Sequence, residues 1–370
     1  MRVLVAFDKF KDALTSAQAC AAAAGALRAK HPEWTLDLCP LTDGGEGFAE
    51  TLTAAAKGRL EYLTVSGPRA RPVGAPIGYV SGSNLSPAVR CRLSLDLESK
   101  LAIIGMASAS GLELVPRDQR DPWQTTTYGT GELIRAAAQA GAGTILLGVG
   151  GSATNDLGLG ALAALGFKFP AVPVPAVWPQ LTRLEGRLRL PPVFIACDVT
   201  NPLLGPHGAT ATFGPQKGLK LDDLPRLETE MARMASLLGE ACGQPFALTE
   251  TPGAGAAGGI AFGLMVACGA RLVPGFDLVT EWLDLPARIA TADMVLTGEG
   301  RFDATSLGGK GPGSLVATAR RLGKPVHVFA GSLGVPADDL HHAVTLPGLP
   351  LAEALPRTAE LLAAAVGRTL

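Results

Sequence analysis

The sequence predicts an α/β protein built from two α/β domains. The first is a flavodoxin-like open parallel sheet domain that is discontinuous in the chain, and the second is an α/β domain inserted into it. Two observations carry this prediction: apolar strand-like segments alternate with helical segments at both ends of the chain, and the middle contains strands and helices of its own. The length of 370 residues suits two domains of ordinary size.

The terminal parts of the chain supply five predicted strands with helices between them. Residues 2–6 form the first strand, and Thr15 or Ser16 can cap the alanine-rich helix that continues to about Lys30. The later elements are a strand at 34–40, a helix to about residue 57, strands at 293–297, 326–330 and 343–346, and helices near 314–322 and over 351–366. With these crossovers the five strands satisfy a flavodoxin-like sheet, provided that the middle of the chain is an insertion. We therefore expect the discontinuous domain at 1–64 and 258–370 and the inserted domain at 65–257.

The inserted part has predicted elements of its own. Extended segments are expected at 71–80 and 89–97, a helix at 132–140, and strands at 144–148 and 193–196. A polar, proline-rich stretch at 170–192 is expected to be a surface excursion.

The composition favours a small ligand over a polymer. The chain carries 32 basic and 33 acidic residues, which argues against broad electrostatic binding to nucleic acid or to an anionic membrane. Its 6 cysteines show no C-x-x-C spacing and its 5 histidines form no metal-ligand cluster, so we expect a reduced, cytoplasmic protein without structural zinc. The first apolar run is broken at Asp8, and we expect neither a signal peptide nor a membrane span.

The segment TILLGVGGSATND at residues 144–156 is the most informative part of the chain. A short apolar strand runs into Gly148, Gly150 and Gly151, which allow a tight turn with exposed backbone N–H groups. Four polar side chains follow before the next helix, namely Ser152, Thr154, Asn155 and Asp156. The pattern predicts an anion-binding turn, and a well-capped strand-to-helix turn is the alternative.

Polar residues also follow the other predicted strands, where open parallel sheets bind their ligands. They are Asp8, Lys9 and Lys11 after the first strand, Asp43 and Glu46 with Gly44 and Gly45 after the second, Glu299, Arg301 and Asp303 after the third, and Asp198, Thr200 and Asn201 after the strand at 193–196. Lysines together with carboxylates are what phosphoryl transfer from a metal-bound nucleotide requires. Two facing strand edges suggest an active site in a cleft between the domains.

Standard nucleotide-binding motifs do not occur. The chain contains no G-x-x-x-x-G-K-[ST] and no H-R-D with D-F-G pair. The segments GLGALA at 158–163 and GAGAAG at 253–258 match the dinucleotide-binding pattern, but neither directly follows a convincing strand. Close packing of these glycines is the favoured interpretation, and an NAD site is the alternative.

Eight motifs occur in order along the chain. They are DKFKDALTS at 8–16, LTDGGEGF at 41–48, MASASGLELVP at 106–116, TTTYGTGELI at 125–134, GVGGSATND at 148–156, CDVTNPLLG at 197–205, GPQKG at 214–218 and TGEGRFD at 297–303. With these motifs the chain resembles, from end to end, the bacterial glycerate kinases of the glycerate 2-kinase type. The resemblance implies ATP-dependent phosphorylation of D-glycerate with Mg²⁺, on two α/β domains of which one is inserted into the other.

The candidate site residues fall into three groups of expected roles. Asp198 is the expected general base or magnesium ligand, and Lys9 and Lys11 are expected to hold phosphate or the glycerate carboxylate. Expected magnesium ligands are Asp43, Glu46, Asp156, Glu299 and Asp303. Expected substrate- or nucleotide-binding residues are Asp8, Ser16, Gly44, Gly45, Gly150, Gly151, Ser152, Thr154, Asn155, Asn201, Lys217, Arg301 and Lys310.

Structural alternatives stay open for most of these residues. They are a turn-forming role for Asp198, Asp43 and Glu46, solvated surface lysines for Lys9 and Lys11, helix capping for Ser152 and Thr154, pairing with acidic neighbours for Arg301, and a surface turn for Lys217. Three positions depart from the expected family pattern: Gly105 in place of glutamate, Asp121 in place of asparagine and Thr305 in place of glutamine.

The expected reaction is direct, in-line transfer of the γ-phosphoryl group of ATP to a hydroxyl group of D-glycerate. The resemblance favours 2-phosphoglycerate as product, and 3-phosphoglycerate or phosphorylation of another small hydroxy acid is the alternative. An NAD-dependent hydroxy-acid oxidoreductase and a non-catalytic ligand sensor are weaker alternatives. The sequence leaves open whether the protein is a monomer or a homodimer.

Overall fold

A computed structural model describes residues 1–304, 306, 311–335 and 340–370. The strands in this part of the chain are β1 (Arg2–Phe7), β2 (Thr35–Leu38), β3 (Arg59–Ser66), β4 (Pro72–Ser81), β5 (Lys100–Gly105), β6 (Thr144–Gly148), β7 (Val193–Ala196), β8 (Arg271–Val273), β9 (Met294–Phe302), β10 (Val326–Leu333) and β11 (His341–Ala343).

The α-helices are α1 (Ser16–Lys30), α2 (Phe48–Ala55), α3 (Pro87–Arg92), α4 (Ala107–Ser110), α5 (Tyr128–Gln139), α6 (Leu159–Leu165), α7 (Ala209–Phe213), α8 (Leu224–Cys242), α9 (Ala256–Cys268), α10 (Gly275–Trp282), α11 (Leu285–Thr291), α12 (Gly311–Arg321), α13 (Leu351–Ala354) and α14 (Thr358–Thr369). Short 3₁₀ helices lie at Gly82–Asn84, Leu112–Leu114, Arg117–Gln119, Pro175–Gln180, Pro215–Lys217, Leu221–Asp223, Phe246–Glu250 and Leu355–Arg357. Among the helices that the structure describes, none combines the length and the apolar character that crossing a membrane requires.

The chain divides into two compact units. The discontinuous unit comprises Met1–Asp43 and Val279–Leu370, and the inserted unit comprises Gly44–Leu278. The insertion is the predicted one, but its boundaries differ from those expected at 65 and 257. Helix α2 packs on β4 and β5, and β8 pairs with β7, so both elements belong to the inserted unit rather than to the discontinuous one.

The discontinuous unit contains the predicted flavodoxin-like sheet. Its five strands lie in the order β11-β10-β9-β1-β2, and each neighbouring pair is parallel. Counted along the chain within this unit, that is the order 2-1-3-4-5 typical of flavodoxin-like folds. Such sheets bind ligands beyond the carboxyl ends of their strands, which places the loops after β1, β2 and β9 at the functional edge.

Alternation along β1 builds the core of the discontinuous unit. Val3, Val5 and Phe7 point to one face, where they form a buried cluster with residues of α1 and α14. Thr15, one of the two predicted capping residues, caps helix α1 in a capping box: Thr15 Oγ1 accepts from Gln18 N–H (3.2 Å) and Gln18 Oε1 accepts from Thr15 N–H (2.9 Å). The predicted last helix is interrupted, because Pro356 follows α13 in a 3₁₀ turn before α14 begins.

The inserted unit has a sheet in the order β3-β4-β5-β6-β7-β8. The pairs β3–β4 and β4–β5 are antiparallel, and the strands from β5 to β8 run parallel. Strands β6 and β7 are buried along their whole length, which is why they appear in the sequence as continuous apolar runs. The carboxyl ends of β5, β6 and β7 therefore meet at one edge.

Two predictions for the inserted unit are wrong. The segment expected to be extended at 89–97 begins in helix α3, since Ser86 Oγ accepts from Val89 N–H (3.3 Å) and Pro87 occupies the first turn. The stretch at 170–192 is not merely a surface excursion. Trp178 is 0% exposed and its indole N–H donates to Pro173 O (2.9 Å).

Replacement of Trp178 by alanine tests this core role. Large aromatic-to-alanine changes in a core cost about 3–5 kcal/mol of unfolding free energy, and we expect Trp178→Ala to fall in that range in urea denaturation. The matched control is Leu221→Ala, because Leu221 is 73% exposed and exposed changes stay within about 0.5 kcal/mol. Equal stabilities of the two variants would contradict the assignment.

Candidate active site

Charged side chains from the loops after β1 and β2 meet in the discontinuous unit. Asp8 is 8% exposed, and its Oδ1 accepts a hydrogen bond from Lys9 N–H (2.7 Å). Lys9 Nζ forms an ion pair with Asp43 Oδ1 (3.0 Å). Lys9 is therefore not a freely solvated surface lysine, whereas Lys11 is exposed in the following turn.

Glu299, on β9, lies in the field of several other carboxylates. The pKa of Glu299 is raised to about 7, mainly by burial. The charges of Asp8, Asp303 and Asp43 contribute to the rise, and a hydrogen bond from Ser306 opposes it. Its Oε1 atom is buried and has no hydrogen-bond partner in the part of the chain that the structure describes. This edge of the sheet thus accumulates negative charge that a bound cation would neutralise.

The remaining predicted residues of this unit are less involved. Arg301 is exposed and its Nε pairs with Asp303 Oδ2 (3.0 Å), which is the structural alternative left open by the sequence. Ser16 is the buried first residue of α1. Lys310 and Thr305 lie outside the described residues.

Two glycine-rich segments of the inserted unit are in direct contact. Gly150 N–H donates to Gly44 O (2.9 Å), which joins the turn at 44–47 to the loop after β6. Gly151 has φ +70°, and a Cβ at this position would collide with the carboxylate of Glu46. The positive φ favours glycine at 151, and at Gly150 a Cβ would lie only 2.7 Å from the backbone nitrogen of Gly45. The geometry of the predicted anion-binding turn therefore depends on these two glycines.

The loop at 150–156 is also held by the last residue of α4 and by the segment that follows α4. Leu112 N–H donates to Gly151 O (2.8 Å), and Ala153 N–H donates to Ser110 O (2.9 Å). These backbone contacts fix the path of the loop from a second side.

Asp156 anchors the end of this loop. It is 0% exposed, and its carboxylate accepts four hydrogen bonds: from Thr127 N–H (2.7 Å), Thr127 Oγ1–H (2.9 Å), Gly158 N–H (3.2 Å) and Gly160 N–H (3.2 Å). Burial raises its pKa, and these hydrogen bonds oppose the rise. Because the donors occupy both oxygens, the geometry argues against the expected role of Asp156 as a magnesium ligand.

Lys217 lies beneath the same loop. It is only 2% exposed, so the surface-turn alternative for this residue is wrong. Its Nζ donates to Ser152 Oγ (2.8 Å) and to Thr154 O (2.7 Å). Burial lowers the pKa of Lys217 to about 7, and the negative charge of Asp156 opposes this shift.

Two polar atoms of the loop lack partners. Thr154 Oγ1 and Asn155 Oδ1 are buried, and neither has a hydrogen-bond partner among the described residues. The amide nitrogen of Asn155 donates to Thr210 Oγ1 (3.1 Å), which fixes the orientation of the side chain. Buried polar groups without protein partners are normally satisfied by water or by a ligand.

Asp198 and Asn201 follow β7, as predicted, and both have structural contacts. Both carboxylate oxygens of Asp198 accept from Phe276 N–H (3.0 Å each), so this residue caps α10. The side-chain amide of Asn201 donates to His207 O (2.7 Å) and Thr212 Oγ1 (3.2 Å), and its role in substrate binding therefore loses support.

The dinucleotide-like glycines have packing roles, as the sequence analysis favours. A Cβ on Gly255 would collide with Pro202 O, and a Cβ on Gly258 would collide with Thr154 O.

The structure describes the neighbours of two of the three residues that depart from the family pattern. Gly105 ends β5 beside Phe48 and the carbonyl of Gly45, and Asp121 Oδ1 accepts from Trp123 N–H (3.0 Å).

Sequence reasoning missed the residues that hold the loop from outside. Thr127, Ser110 and Thr210 are buried and contact Asp156, Ala153 and Asn155 respectively. The run of three threonines before α5 was the available signal, because hydroxyl groups ahead of a helix tend to bond to nearby backbone or carboxylate groups.

Comparisons with known proteins agree over the whole chain. The model of the glycerate kinase family matches residues 3–368. A glycerate kinase from Bacillus subtilis (strain 168) is 37% identical over 380 residues, covering 98% of this chain and 95% of that protein. A glycerate 2-kinase from Escherichia coli (strain K12) is 38% identical over 344 residues, covering 90% of this chain and 86% of that protein. A crystal structure assigned as glycerate kinase 2 from Salmonella typhimurium LT2 matches with a TM-score of 0.75 and 36% identity, covering 100% of this chain and 96% of that one.

The raised pKa of Glu299 predicts a pH-dependent stability. The folded protein retains the Glu299 proton up to about pH 7, whereas the ordinary pKa of a glutamate side chain is 4.5. The stabilising contribution is therefore complete below pH 4.5 and is lost as pH rises through about 7. Since glutamine resembles the protonated carboxyl group, we expect Glu299→Gln to raise Tm relative to the wild type at pH 8 and to have little effect near pH 4.5.

Thermal unfolding across this pH range provides the measurement. The control is Glu353→Gln, which changes an exposed glutamate of the same unit and is expected to shift Tm by a similar small amount at every pH. A Tm difference between Glu299→Gln and wild type that does not vary with pH would contradict the assignment.

Proposed function

The chain belongs to the glycerate kinase family, and we propose that it transfers the γ-phosphoryl group of ATP to the 2-hydroxyl group of D-glycerate in a direct, in-line step. The observation that carries this proposal is the loop at 150–156, a rigid turn of glycines and hydroxyl groups that has the lysine Lys217 beneath it. Backbone N–H groups and fixed cations are the groups that stabilise phosphoryl transfer, because charge spreads over the oxygens of the transferred group.

The discontinuous unit supplies cations and carboxylates. We propose that Lys9 and Lys11 neutralise an anionic group of a substrate, with Lys9 oriented by its ion pair to Asp43. The Asp43 carboxylate limits how much positive charge Lys9 presents. Its proposed role is therefore to place an N–H donor rather than to act as an isolated charge.

The same unit suits a magnesium ion that arrives with the nucleotide. No group of three or more His, Cys, Asp or Glu side chains in the described part is arranged to hold a metal by itself. Mg²⁺ in phosphoryl transfer is usually bound by one or two carboxylates together with phosphate oxygens, and the group of carboxylates around Glu299 fits that pattern. We propose Glu299, Asp43 and Asp303 as candidate ligands; when bound, Mg²⁺ would neutralise phosphate charge.

Asp198 is the proposed acceptor of the hydroxyl proton. It follows the buried strand β7, and the hydrogen bond from Phe276 N–H fixes its carboxylate at the carboxyl edge of the sheet. A held carboxylate of this kind can orient a hydroxyl group and take its proton as the phosphoryl group arrives. Glu46 is proposed to support the loop through its contact with Gly151.

The product is proposed to be 2-phosphoglycerate because a relative named glycerate 2-kinase matches 90% of this chain. Phosphorylation at the 3-hydroxyl group, or of another small hydroxy acid, is the second candidate. A cytoplasmic location is part of the proposal, since all six cysteines are free thiols.

The reaction is tested by incubating the protein with ATP, Mg²⁺ and D-glycerate and measuring ADP. The product is then identified by phosphorus NMR and by direct coupling to enolase, which accepts only 2-phosphoglycerate. We expect ADP and 2-phosphoglycerate in equal amounts. Formation of 3-phosphoglycerate would retain the kinase but reject the regiochemistry, and no ADP from a folded, ATP-binding protein would reject glycerate as substrate.

Replacement of Asp198 by asparagine tests the proposed base. The asparagine oxygen can still accept from Phe276 N–H, so the cap of α10 is expected to persist while proton acceptance is lost. General bases typically contribute about 10²–10⁴-fold, and we expect kcat to fall by at least about 100-fold. The matched control is Asp277→Asn, an exposed aspartate in the first turn of the same helix, for which kcat should be unchanged. Wild-type turnover by folded Asp198→Asn would exclude this role.

A further inference from the structure

Lys217 is unusual because its ammonium group is buried. Burying a charge is unfavourable unless it is paired or hydrogen-bonded. Among the described residues, Lys217 Nζ has two hydrogen-bond acceptors, Ser152 Oγ and Thr154 O, and no ion pair. A residue that only filled space at this position would not need a charge, so the ammonium group requires another explanation.

Both acceptors of Lys217 belong to the loop at 150–156. The lysine comes from the 3₁₀ turn Pro215–Lys217, more than sixty positions later in the chain. Its two bonds join that turn to Ser152 and Thr154. These two residues lie in the chain between Gly150, which bonds to Gly44, and Asp156, which anchors the end of the loop. Without Lys217, the Ser152 hydroxyl and the Thr154 carbonyl would lose these bonds, and the bond from Thr125 Oγ1–H to Ala153 O (3.0 Å) would be the side-chain tie left between them.

The charge of Lys217 also matters. An ammonium group has three N–H donors, and the described residues provide acceptors for two of them. Thr154 Oγ1, which is buried on the same residue as one of these acceptors, has no hydrogen-bond partner in the described part of the chain. The third N–H donor and the positive charge of Lys217, together with the Thr154 hydroxyl group, are the kinds of group that bind an anionic oxygen.

We propose that Lys217 is a positioning residue for the reaction. It holds Ser152 and Thr154 so that the loop can bind an anionic oxygen of a substrate, and its charge strengthens that binding. The inference rests on the proposed function and deepens it. The oxygen belongs to a phosphate of ATP or to the carboxylate of glycerate, and the two KM values distinguish these sources.

Two variants separate the charge from the hydrogen bonds. Lys217→Met keeps the length of the side chain but removes charge and donors, whereas Lys217→Gln removes the charge and keeps an N–H donor. We expect kcat/KM to fall by about 100-fold for Met and about 10-fold for Gln, since charge-assisted hydrogen bonds are about twice as strong as neutral ones. The control is Lys220→Met, an exposed lysine three positions away, with wild-type kinetics expected.

The pattern of kinetic constants identifies the bound oxygen. A selective rise in the KM for ATP indicates a phosphate, and a selective rise in the KM for D-glycerate indicates the carboxylate. A fall in kcat alone indicates that the oxygen is bound mainly in the transition state. Values of kcat and of both KM within twofold of wild type in Lys217→Met would overturn the proposal.

A pH profile separates this role from a purely structural one. Asp156 is the charged group whose field acts on Lys217, and it favours the protonated lysine. With a pKa of about 7, Lys217 is charged below that pH and neutral above it, so kcat/KM should decline as pH rises through this value. Binding an anion raises the pKa of the lysine, so the decline in kcat should occur at higher pH. Lys217→Gln should lack this step, and its persistence in that variant would overturn the role of the charge.

Amide hydrogen exchange provides a test that does not depend on the reaction. Peptides covering 149–156 should exchange faster in Lys217→Met than in wild type, while peptides from α5 and the Lys220→Met control should not change. Unchanged exchange in this loop would overturn the positioning role even if the protein phosphorylates glycerate. Faster exchange in a protein that lacks kinase activity would instead reject the proposed function and retain the tie between Lys217 and the loop.

Discussion

The hydrogen bonds that hold the loop at 150–156 are the interaction on which the proposed chemistry depends. A turn of glycine, serine and threonine has little packing of its own, and glycine loses much conformational entropy when it is ordered. Here the loop is tied to Gly44, to Ser110, to Lys217 and to Thr127 through Asp156. Because all of these ties are made by the protein itself, the cost of ordering the loop is met on folding, and a substrate anion meets groups that are already in place.

The two units manage charge in opposite ways. In the inserted unit, the buried groups Asp156 and Lys217 are satisfied largely by neutral donors and acceptors, so their charges are held in a low-dielectric setting. In the discontinuous unit, burial raises the pKa of Glu299, and the charges of Asp8, Asp43 and Asp303 add to the rise. The first arrangement suits an anion, and the second suits a cation.

The sequence predicts best what depends on local pattern and on topology. The strand order of the discontinuous unit, strand β7 and the cap of α1 at Thr15 follow from apolar runs, crossovers and the hydroxyl residues before the helix. The partners of Asp156, Asp198 and Lys217 do not, because each lies on a segment remote in the chain and a single sequence does not record which segments meet. The burial of Trp178 is not predicted for a similar reason. Its proline-rich surroundings indicate a surface loop, whereas its burial depends on packing with segments that are distant in the chain. The start of helix α3 is indicated in the sequence by Ser86, which can cap a helix, and by Pro87, which suits the first turn. The pattern at 89–97 indicates an extended segment instead, so the sequence does not predict this helix.

The central claim is that the loop at 150–156 binds an anionic oxygen of a substrate. It is tested most directly by a crystal structure with D-glycerate and a non-hydrolysable ATP analogue. We expect a phosphate or carboxylate oxygen at about 3 Å from N–H or hydroxyl groups of this loop, with the Lys217 contacts to Ser152 and Thr154 preserved. Both ligands bound with no oxygen in contact with the loop would contradict the account.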